Sequence, residues 1–429
     1  MSRSHSALAL ALVLALAACA PPSPPDAPAT QVQLAPIAPE ALAPFVARVE
    51  AVRGARFTEP VRAFEIAPAD VERLLDAEID RFAPREQLAA ESRLAAALGL
   101  VPPGADLRAL LLELASGSIA GMYSQADRAF YAVAGAESAG AASGGSLEVH
   151  ELVHALQDQR GELLGALFGL AGDDDIAFAL SALLEGEATW VELHDAAARG
   201  GPAPPDPAAF DVQFRAQIAS LDGFPRLLAE STTATYPLGY ALADRLARRG
   251  GPPALDAAAA DPPLSSEELL HPAQYLDASQ RTPLAQLPRA PRVPGCRVVA
   301  TNTYGELGAR VWLLDRCASA AAAEIGGAGW DGDRAWLLAC RGEEGAAWLV
   351  QLDEPAAAER LARVVRSRAA VLGTLFVEAS GRRILLASNL AAPQRAQLLA
   401  LAEEPRIASF AAYLRAHPEV SARMRELRR

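Results

Sequence analysis

The chain has 429 residues, of which 51% are hydrophobic and 21% charged, which is typical of a globular protein with more than one domain. All 39 basic residues are arginine, the formal net charge is −13, and no arginine run forms a basic stripe, so the composition argues against nucleic-acid binding. Beyond the N-terminus no apolar stretch reaches the roughly 20 residues of a membrane-spanning helix, which excludes a polytopic membrane protein.

The N-terminus has the features of an export signal. An apolar run at residues 7–18 follows Arg3, is too short to span a bilayer comfortably, and ends at Cys19. This pattern resembles a bacterial lipobox, which implies that Cys19 is acylated; the alternative is an ordinary secretory signal with an incidental cysteine. Ala20 stands where an aspartate would signal retention, so the resemblance to Gram-negative sorting favours the outer membrane. Residues 20–30 are Pro-rich and predict an extended tether.

Helical patterns dominate the next part of the chain. Apolar spacing predicts helices over 39–53, 67–82, 84–100, 106–115, 147–170, 174–199, 207–229 and 236–249. A short strand is predicted at 64–66. A β-hairpin is predicted over 118–134, where apolar residues flank a polar turn at 124–128.

Strand patterns become frequent after a Pro- and Gly-containing stretch near 285–295, which predicts a domain boundary. Beyond it, residues 329–334 are predicted as a tight turn. Two hairpins are predicted over 334–352 and 374–387, with a helix over 355–372 between them. Cys296, Cys317 and Cys340 also lie here. An oxidising compartment would allow one disulfide among them, but the sequence does not select the pair.

The chemistry of the chain centres on the pentapeptide HELVH. His150 and His154 lie four residues apart, so on a helix they share one face and can offer two imidazoles to one zinc ion. Glu151 lies beside them, where it can reach a zinc-bound water rather than the metal. Zinc lowers the pKa of such a water toward about 7, and a carboxylate can then accept its proton. Leu152 and Val153 predict the buried side of this helix.

A third protein ligand is expected on a second, antiparallel helix. Glu185 is the favoured candidate, in the segment LLEGEATW, and would leave one zinc position for water. Glu187, Glu192 and His194 remain alternatives, with His194 expected on another face of the same helix.

The segment HELVHALQDQ, together with the later EGEA, resembles the gluzincin branch of zincin metallopeptidases. The resemblance implies a zinc peptidase in which Glu151 acts as general base and a sheet edge, here the hairpin at 118–134, lies beside the HExxH helix. Asp158 continues the helical face of His154 and is predicted to accept a hydrogen bond from a ligand histidine. Thermolysin-like members carry an aspartate four residues after the ligand glutamate, whereas this chain has Thr189 there.

Two tyrosines follow in the segment TYPLGY. A tyrosine near the zinc can donate a hydrogen bond to an oxyanion, and Tyr236 is the favoured candidate over Tyr240. The alternative for both is packing in the core. His271 is interpreted as part of a helix boundary rather than as a ligand.

The sequence therefore predicts an α+β protein, with a mostly helical zincin-like domain and a smaller α+β domain. The predicted segments are a signal peptide at 1–18, a tether at 19–35, the metallopeptidase domain at 36–287, the α+β domain at 292–390 and a helical tail at 391–429. The predicted function is hydrolysis of peptides or proteins by a zinc enzyme held extracytoplasmically at a membrane by its lipid, without nucleic-acid binding. The alternative is a non-catalytic envelope lipoprotein that keeps this fold for binding or assembly.

Overall fold

The protein has a mixed α+β fold, as the sequence predicts. The structure, a computed structural model, describes residues 34–116, 119–135, 145–161, 163–217, 221, 223–317, 323–324, 327–367 and 375–427. Within these ranges, no helix combines the length and the apolar character needed to cross a membrane.

A four-stranded sheet lies in the first part of the chain. In chain order this part contains β1 (Leu34–Pro36), α1 (Pro39–Arg53), β2 (Arg62–Ile66), α2 (Val71–Phe82), α3 (Arg85–Ala97), α4 (Leu107–Ser116), β3 (Gly121–Ser124) and β4 (Ala129–Val133). The strand order is β1-β2-β4-β3, with β2 and β4 parallel and the other pairs antiparallel. The predicted hairpin is therefore β3 and β4, and β3 is an edge strand.

Helices form the middle of the chain. They are α5 (Ser146–Arg160), α6 (Leu163–Leu167), α7 (Asp174–Ala198), α8 (Pro207–Gln217), α9 (Arg226–Thr233), α10 (Thr235–Gly250), α11 (Pro252–Ala260), α12 (Ser266–Leu270) and α13 (Pro272–Leu276). The helix predicted over 147–170 is interrupted at Gly161, whose backbone is extended. The helix predicted over 207–229 is also two helices, because Pro225 precedes α9 and a proline disfavours a helix interior.

A five-stranded antiparallel sheet, in the order β6-β7-β8-β10-β9, dominates the last part. The elements are β5 (Leu284–Gln286), β6 (Cys296–Asn302), α14 (Gly305–Cys317), β7 (Trp330–Cys340), β8 (Glu343–Leu352), α15 (Pro355–Arg366), β9 (Phe376–Ser380), β10 (Arg383–Ser388), α16 (Ala392–Leu399), β11 (Glu404–Ile407), α17 (Phe410–Ala416) and α18 (Pro418–Leu427). A disulfide joins Cys296 and Cys340, which face each other across β6 and β7.

Two predictions for this part were wrong. The turn predicted at 329–334 is the start of β7, where the carboxylate of Asp333 accepts hydrogen bonds from the Tyr304 and Gly305 backbone N–H groups and from the Trp348 indole. These bonds satisfy an acidic residue inside a buried strand. The C-terminal tail is not wholly helical, because β11 pairs with β5.

The largest of the hydrophobic clusters extends from the first sheet to the C-terminal helices. Its buried members run from Ile66 to Met424 and come from both sides of the predicted boundary. The indole of Trp312 on α14 donates a 2.9 Å hydrogen bond to the Leu98 carbonyl after α3. The Pro-rich stretch near 285–295 therefore separates two sheets that share this cluster.

A second hydrophobic cluster supports helix α5. It includes Leu152 and Val153 of α5, Tyr123 and Phe130 of the hairpin, and Ala188 of α7. The buried side of α5 is thus the one predicted from the sequence. The cluster fixes α5 against the edge strand β3 on one side and against α7 on the other.

Candidate metal centre

Helices α5 and α7 bring two histidines and one glutamate together. The Nε2 atom of His150 lies 3.2 Å from Glu185 Oε2, and the Nε2 atom of His154 lies 3.6 Å from Glu185 Oε1. One potential ligand atom from each of the three residues lies within 4.8 Å of the others. All three side chains are buried, with 1–2% of their surface exposed. This group can hold a metal ion, and it is the only such group of His, Cys, Asp or Glu found within the described ranges.

The outward nitrogen of His150 is oriented by a second glutamate of α7. His150 Nδ1 lies 3.2 Å from Glu192 Oε2. An ionised carboxylate only accepts hydrogen bonds, so Nδ1 carries the hydrogen and Nε2 faces Glu185. Although burial lowers the pKa of this ring, hydrogen bonds with Glu185 and Glu192 raise it well above its usual value. The centre therefore favours positive charge.

The outward nitrogen of His154 is oriented by Gln157, one helical turn further along α5. His154 Nδ1 lies 2.9 Å from Gln157 Oε1. The amide nitrogen of Gln157 donates to the Leu184 carbonyl at 3.0 Å and to Glu187 Oε2 at 2.9 Å. Both of these partners are acceptors, so the amide oxygen must face His154 and Nδ1 must carry the hydrogen.

Arg53 of α1 completes this network. Its guanidinium pairs with Glu187 and, at 2.6 Å, with Asp256 Oδ1 of α11. Arg53 and Glu187 are both buried. The hydrogen-bond network thus connects His154 to two helices that carry no candidate ligand.

The donor set fits a divalent metal, and one unsatisfied atom points to it directly. His154 Nε2 is buried and has no hydrogen-bond partner. A buried polar atom without a partner costs about 1–3 kcal/mol, and a metal ion bound by Nε2 would remove that cost. In the neutral form with hydrogen on Nδ1, each histidine presents a free electron pair at Nε2.

Glu151 lies next to the first histidine but outside the three-residue group. Its Oε2 accepts a 2.8 Å hydrogen bond from the backbone N–H of Tyr123 on β3. Burial raises the pKa of Glu151 to about 7, while the neighbouring His154 and His150 oppose the rise. The edge strand therefore holds a carboxylate of base-like pKa beside the metal ligands.

Two glycines bring α10 close to this centre. A Cβ atom at Gly186 of α7 would lie 2.1 Å from the Gly239 backbone carbon, and a Cβ at Gly239 would lie 1.9 Å from the Ala182 carbonyl oxygen. No side chain fits at either position, so the two helices touch through their backbones. This contact places Tyr236, one turn before Gly239, against Glu185.

The Tyr236 side chain faces the centre. Its ring centroid is 6.4 Å from that of His150, and its buried hydroxyl interacts with the Glu185 carboxylate. Burial and the charges of Glu185 and Glu151 raise its pKa well above the usual value, so it stays a hydrogen-bond donor. Tyr240 instead donates to the Pro205 carbonyl at 2.8 Å, which is a structural contact.

The predicted role of Asp158 was wrong. Its carboxylate accepts a 2.8 Å hydrogen bond from the Tyr123 hydroxyl and lies 3.3 Å from Arg128 Nε, so it does not contact a ligand histidine. Asp158 lies on the same face of α5 as His154, but its side chain contacts residues of the hairpin β3–β4. Asp158 therefore fastens the edge strand to α5.

None of the other candidate ligands considered from the sequence belongs to the three-residue group. Glu187 and Glu192 act on the histidines from outside the cluster, and His194 bonds the Trp190 carbonyl at 2.8 Å on another face of α7, as predicted. His271 lies 3.1 Å from Glu306, far along the chain from the motif helices. Cys19 lies outside the described residues.

Sequence reasoning missed Gln157 and Arg53. Their partners lie on other helices, so no local spacing marks them.

No protein-family model matches this sequence, and no curated protein or solved structure matches it significantly. What the structure supports is a buried group of His150, His154 and Glu185 that could hold a metal ion.

Proposed function

We propose that this protein is a zinc-dependent peptidase of the gluzincin type. The observation that carries the proposal is the convergence of His150, His154 and Glu185, with Glu151 held beside them rather than among them. A structural zinc site has four protein ligands, whereas a catalytic site has three and keeps one position open. A glutamate held beside three ligands suits a catalytic site, where it can accept a proton from water.

Zinc is the metal that suits this donor set best. Two neutral imidazoles and one carboxylate are a common catalytic zinc set, while magnesium and calcium prefer oxygen ligands alone. When bound, zinc supplies a Lewis acid that acidifies water and polarises a peptide carbonyl.

The chain's own residues have distinct roles in the proposed hydrolysis. Glu151 accepts a proton from the attacking water and delivers it to the leaving amine, so that water adds across the C–N bond and yields an acid and an amine. The Tyr236 hydroxyl, which lies against Glu185, donates to the carbonyl oxygen as negative charge develops there. Tyr123 positions Glu151 through its backbone N–H.

The departure from thermolysin-like members has a structural counterpart in this chain. Thr189 occupies the position where those enzymes carry an aspartate, four residues after the ligand glutamate. Glu192, two turns of α7 after Glu185, provides the carboxylate for the His150 ring instead. In this chain the carboxylate on α7 that orients a histidine is therefore at position 192 rather than at position 189.

Peptide entry requires a cover to move, because the candidate ligands are buried. We expect helix α8 to be the cover that moves. None of its described side chains is buried, and it packs through Phe214 on Tyr236 (5.2 Å) and Phe210 on Tyr240 (4.8 Å). Elements with few buried contacts open at the lowest free-energy cost.

We also propose that the protein lies outside the cytoplasm, anchored by acyl chains at Cys19 and favouring the outer membrane. The Cys296–Cys340 disulfide supports this location, because structural disulfides persist in oxidising compartments. The proposed partners are a peptide or protein substrate and the membrane, with no nucleic acid.

A non-catalytic envelope protein is the second candidate, and the 1–2% exposure of the ligands favours it. A peptide library incubated with the zinc-loaded protein separates the two. The peptidase proposal expects cleavage that a chelator abolishes and added zinc restores. Absence of any cleavage by the fully zinc-loaded protein supports the binding protein instead.

A further inference from the structure

One cavity, called here the second cavity, is not lined by the candidate metal ligands. It supports an inference that goes beyond the proposed function. It has about 790 Å³ of empty space, part of it open to solvent, and lies between α3, the start of α7, α9 and α14. Its walls are mostly apolar, with Phe178, Leu228 and Val311 among them.

Three carboxylates line this cavity, those of Glu91, Asp174 and Asp175, and each has one buried oxygen without a hydrogen-bond partner. Glu91 of α3 is 4% exposed; its Oε1 accepts from Gln87 at 2.9 Å, but its Oε2 has no hydrogen bond. Asp174 of α7 accepts from Asn302 at 2.6 Å through Oδ2, whereas its buried Oδ1 has no partner. Burial raises the pKa of Glu91 and of Asp174, and the charge of Glu91 raises that of Asp174 further.

Asp173, which precedes Asp174 in the chain, is a buried carboxylate that is paired with arginine. The Asp173 carboxylate accepts a 2.8 Å hydrogen bond from Arg334, and it also accepts from Arg289 and from the Tyr413 hydroxyl. Glu187 and Glu268 are likewise paired with arginines. No arginine or histidine lines the second cavity among the described residues. The cation that would match Glu91 and Asp174 is therefore missing from the chain itself.

A tyrosine lines the same cavity. Tyr304 is 8% exposed. Burial and the charges of Asp174 and Glu91 raise the pKa of Tyr304 well above its usual value. Metal ions are not favoured, because the cavity carboxylates do not form a metal-binding group.

We propose that this cavity binds a primary ammonium group carried on a hydrocarbon body. An ammonium is a cation with three N–H donors, which suits a cavity lined by the partnerless oxygens of Glu91 and Asp174. The apolar walls suit the attached hydrocarbon. The chain contains no lysine, so its own side chains cannot supply such a group. The half-buried Leu227, Ser231 and Leu307 mark the entrance between α9 and α14.

The test uses n-hexylamine and n-hexanol, which share a hydrocarbon body and differ in charge. Each is titrated calorimetrically into the full chain at pH 8, where an alkylamine is protonated because its pKa is about 10. We expect hexylamine to bind at least about tenfold more tightly than hexanol, since a hydrogen bond to a charged group contributes about 1.5–3 kcal/mol.

Variants locate the binding. Glu91→Gln and Asp174→Asn should each weaken hexylamine binding about tenfold and leave hexanol unchanged, while Glu86→Gln on the exposed side of α3 should change neither. Circular dichroism confirms that each variant is folded, and removal of an unpaired buried charge should not unfold the chain. The proposal is overturned if hexylamine does not bind, if hexanol binds equally well, or if both cavity variants bind hexylamine like the wild type.

Discussion

The side-chain oxygen of Gln157 faces His154 because its amide nitrogen is engaged by Glu187 at 2.9 Å. The direction of this one amide decides which nitrogen of His154 carries hydrogen. The carboxylate of Glu187, fixed in turn by Arg53, thus acts on a candidate metal ligand through an intervening side chain.

Replacement of Gln157 by leucine should weaken zinc binding without unfolding the protein. The His154 Nδ1–H would lose its acceptor, so the ring would no longer be held with Nε2 free, and loss of such a partner costs about 10–100-fold in affinity. Competition titration with a chromophoric chelator measures the change. Gln159→Leu, two residues further and bonded to the loop at Thr58, is the control. Equal affinities for Gln157→Leu and wild type would contradict the proposed role.

His154→Ala should remove bound zinc. This substitution deletes one of three ligands, and two protein ligands do not form a stable zinc site. The metal content of purified protein, measured by elemental mass spectrometry, should fall from one zinc per chain to near zero. His194→Ala is the matched control, because His194 stacks on Trp190 away from the cluster. Full zinc in the His154 variant would refute the ligand set.

Asp173→Asn should destabilise the protein in a pH-dependent way. Although burial opposes it, Arg334 and Arg289 lower the pKa of Asp173 from 3.8 to about 2. The folded pKa is depressed, so the stabilisation is fully present above about pH 4 and is lost as the pH falls toward 2. The shift corresponds to about 2 kcal/mol at neutral pH.

Urea unfolding at several pH values measures this effect. The free-energy difference between wild type and Asp173→Asn should be at least about 2 kcal/mol at pH 7 and should shrink between pH 4 and pH 2. Glu359→Gln, at an exposed position of α15, should show no such dependence. A pH-independent difference would mean that the ionised Asp173 does not stabilise the fold.

Cys19→Ser should abolish lipid attachment. The serine cannot form the thioether that a lipobox cysteine carries, and loss of the acyl chains removes the membrane affinity of about 0.8 kcal/mol per buried methylene. Radiolabelled palmitate should mark the wild type and the Ser23→Ala control but not the Cys19 variant. Labelling that is equal in all three would show that Cys19 is not the attachment site.

The sequence predicted those parts of the site that depend on local spacing. His150 and His154 share a helix, so their common face follows from the helical repeat, and Glu185 lies on the expected second helix. Gln157 and Arg53 could not be predicted, because their roles depend on how α1 and α7 pack against α5.

The errors in the fold have similar causes. Periodicity alone did not show that Gly161 interrupts the helix after the motif. The polar residues around Asp333 indicated a turn, yet tertiary hydrogen bonds from Tyr304 and Trp348 allow them to lie in a strand. The role predicted for Asp158 was wrong because helical spacing predicts the face on which a side chain lies but not the group that it contacts.

The measurement that tests the central claim most directly is peptide cleavage by Glu151→Gln beside the wild type, both loaded with zinc. Glutamine keeps the size of the side chain and can still accept from Tyr123, but it cannot take a proton from water. The account predicts unchanged zinc content and a fall in kcat of about 10²–10⁴-fold, read by mass spectrometry of a mixed peptide library. Cleavage by Glu151→Gln at the wild-type rate would contradict it.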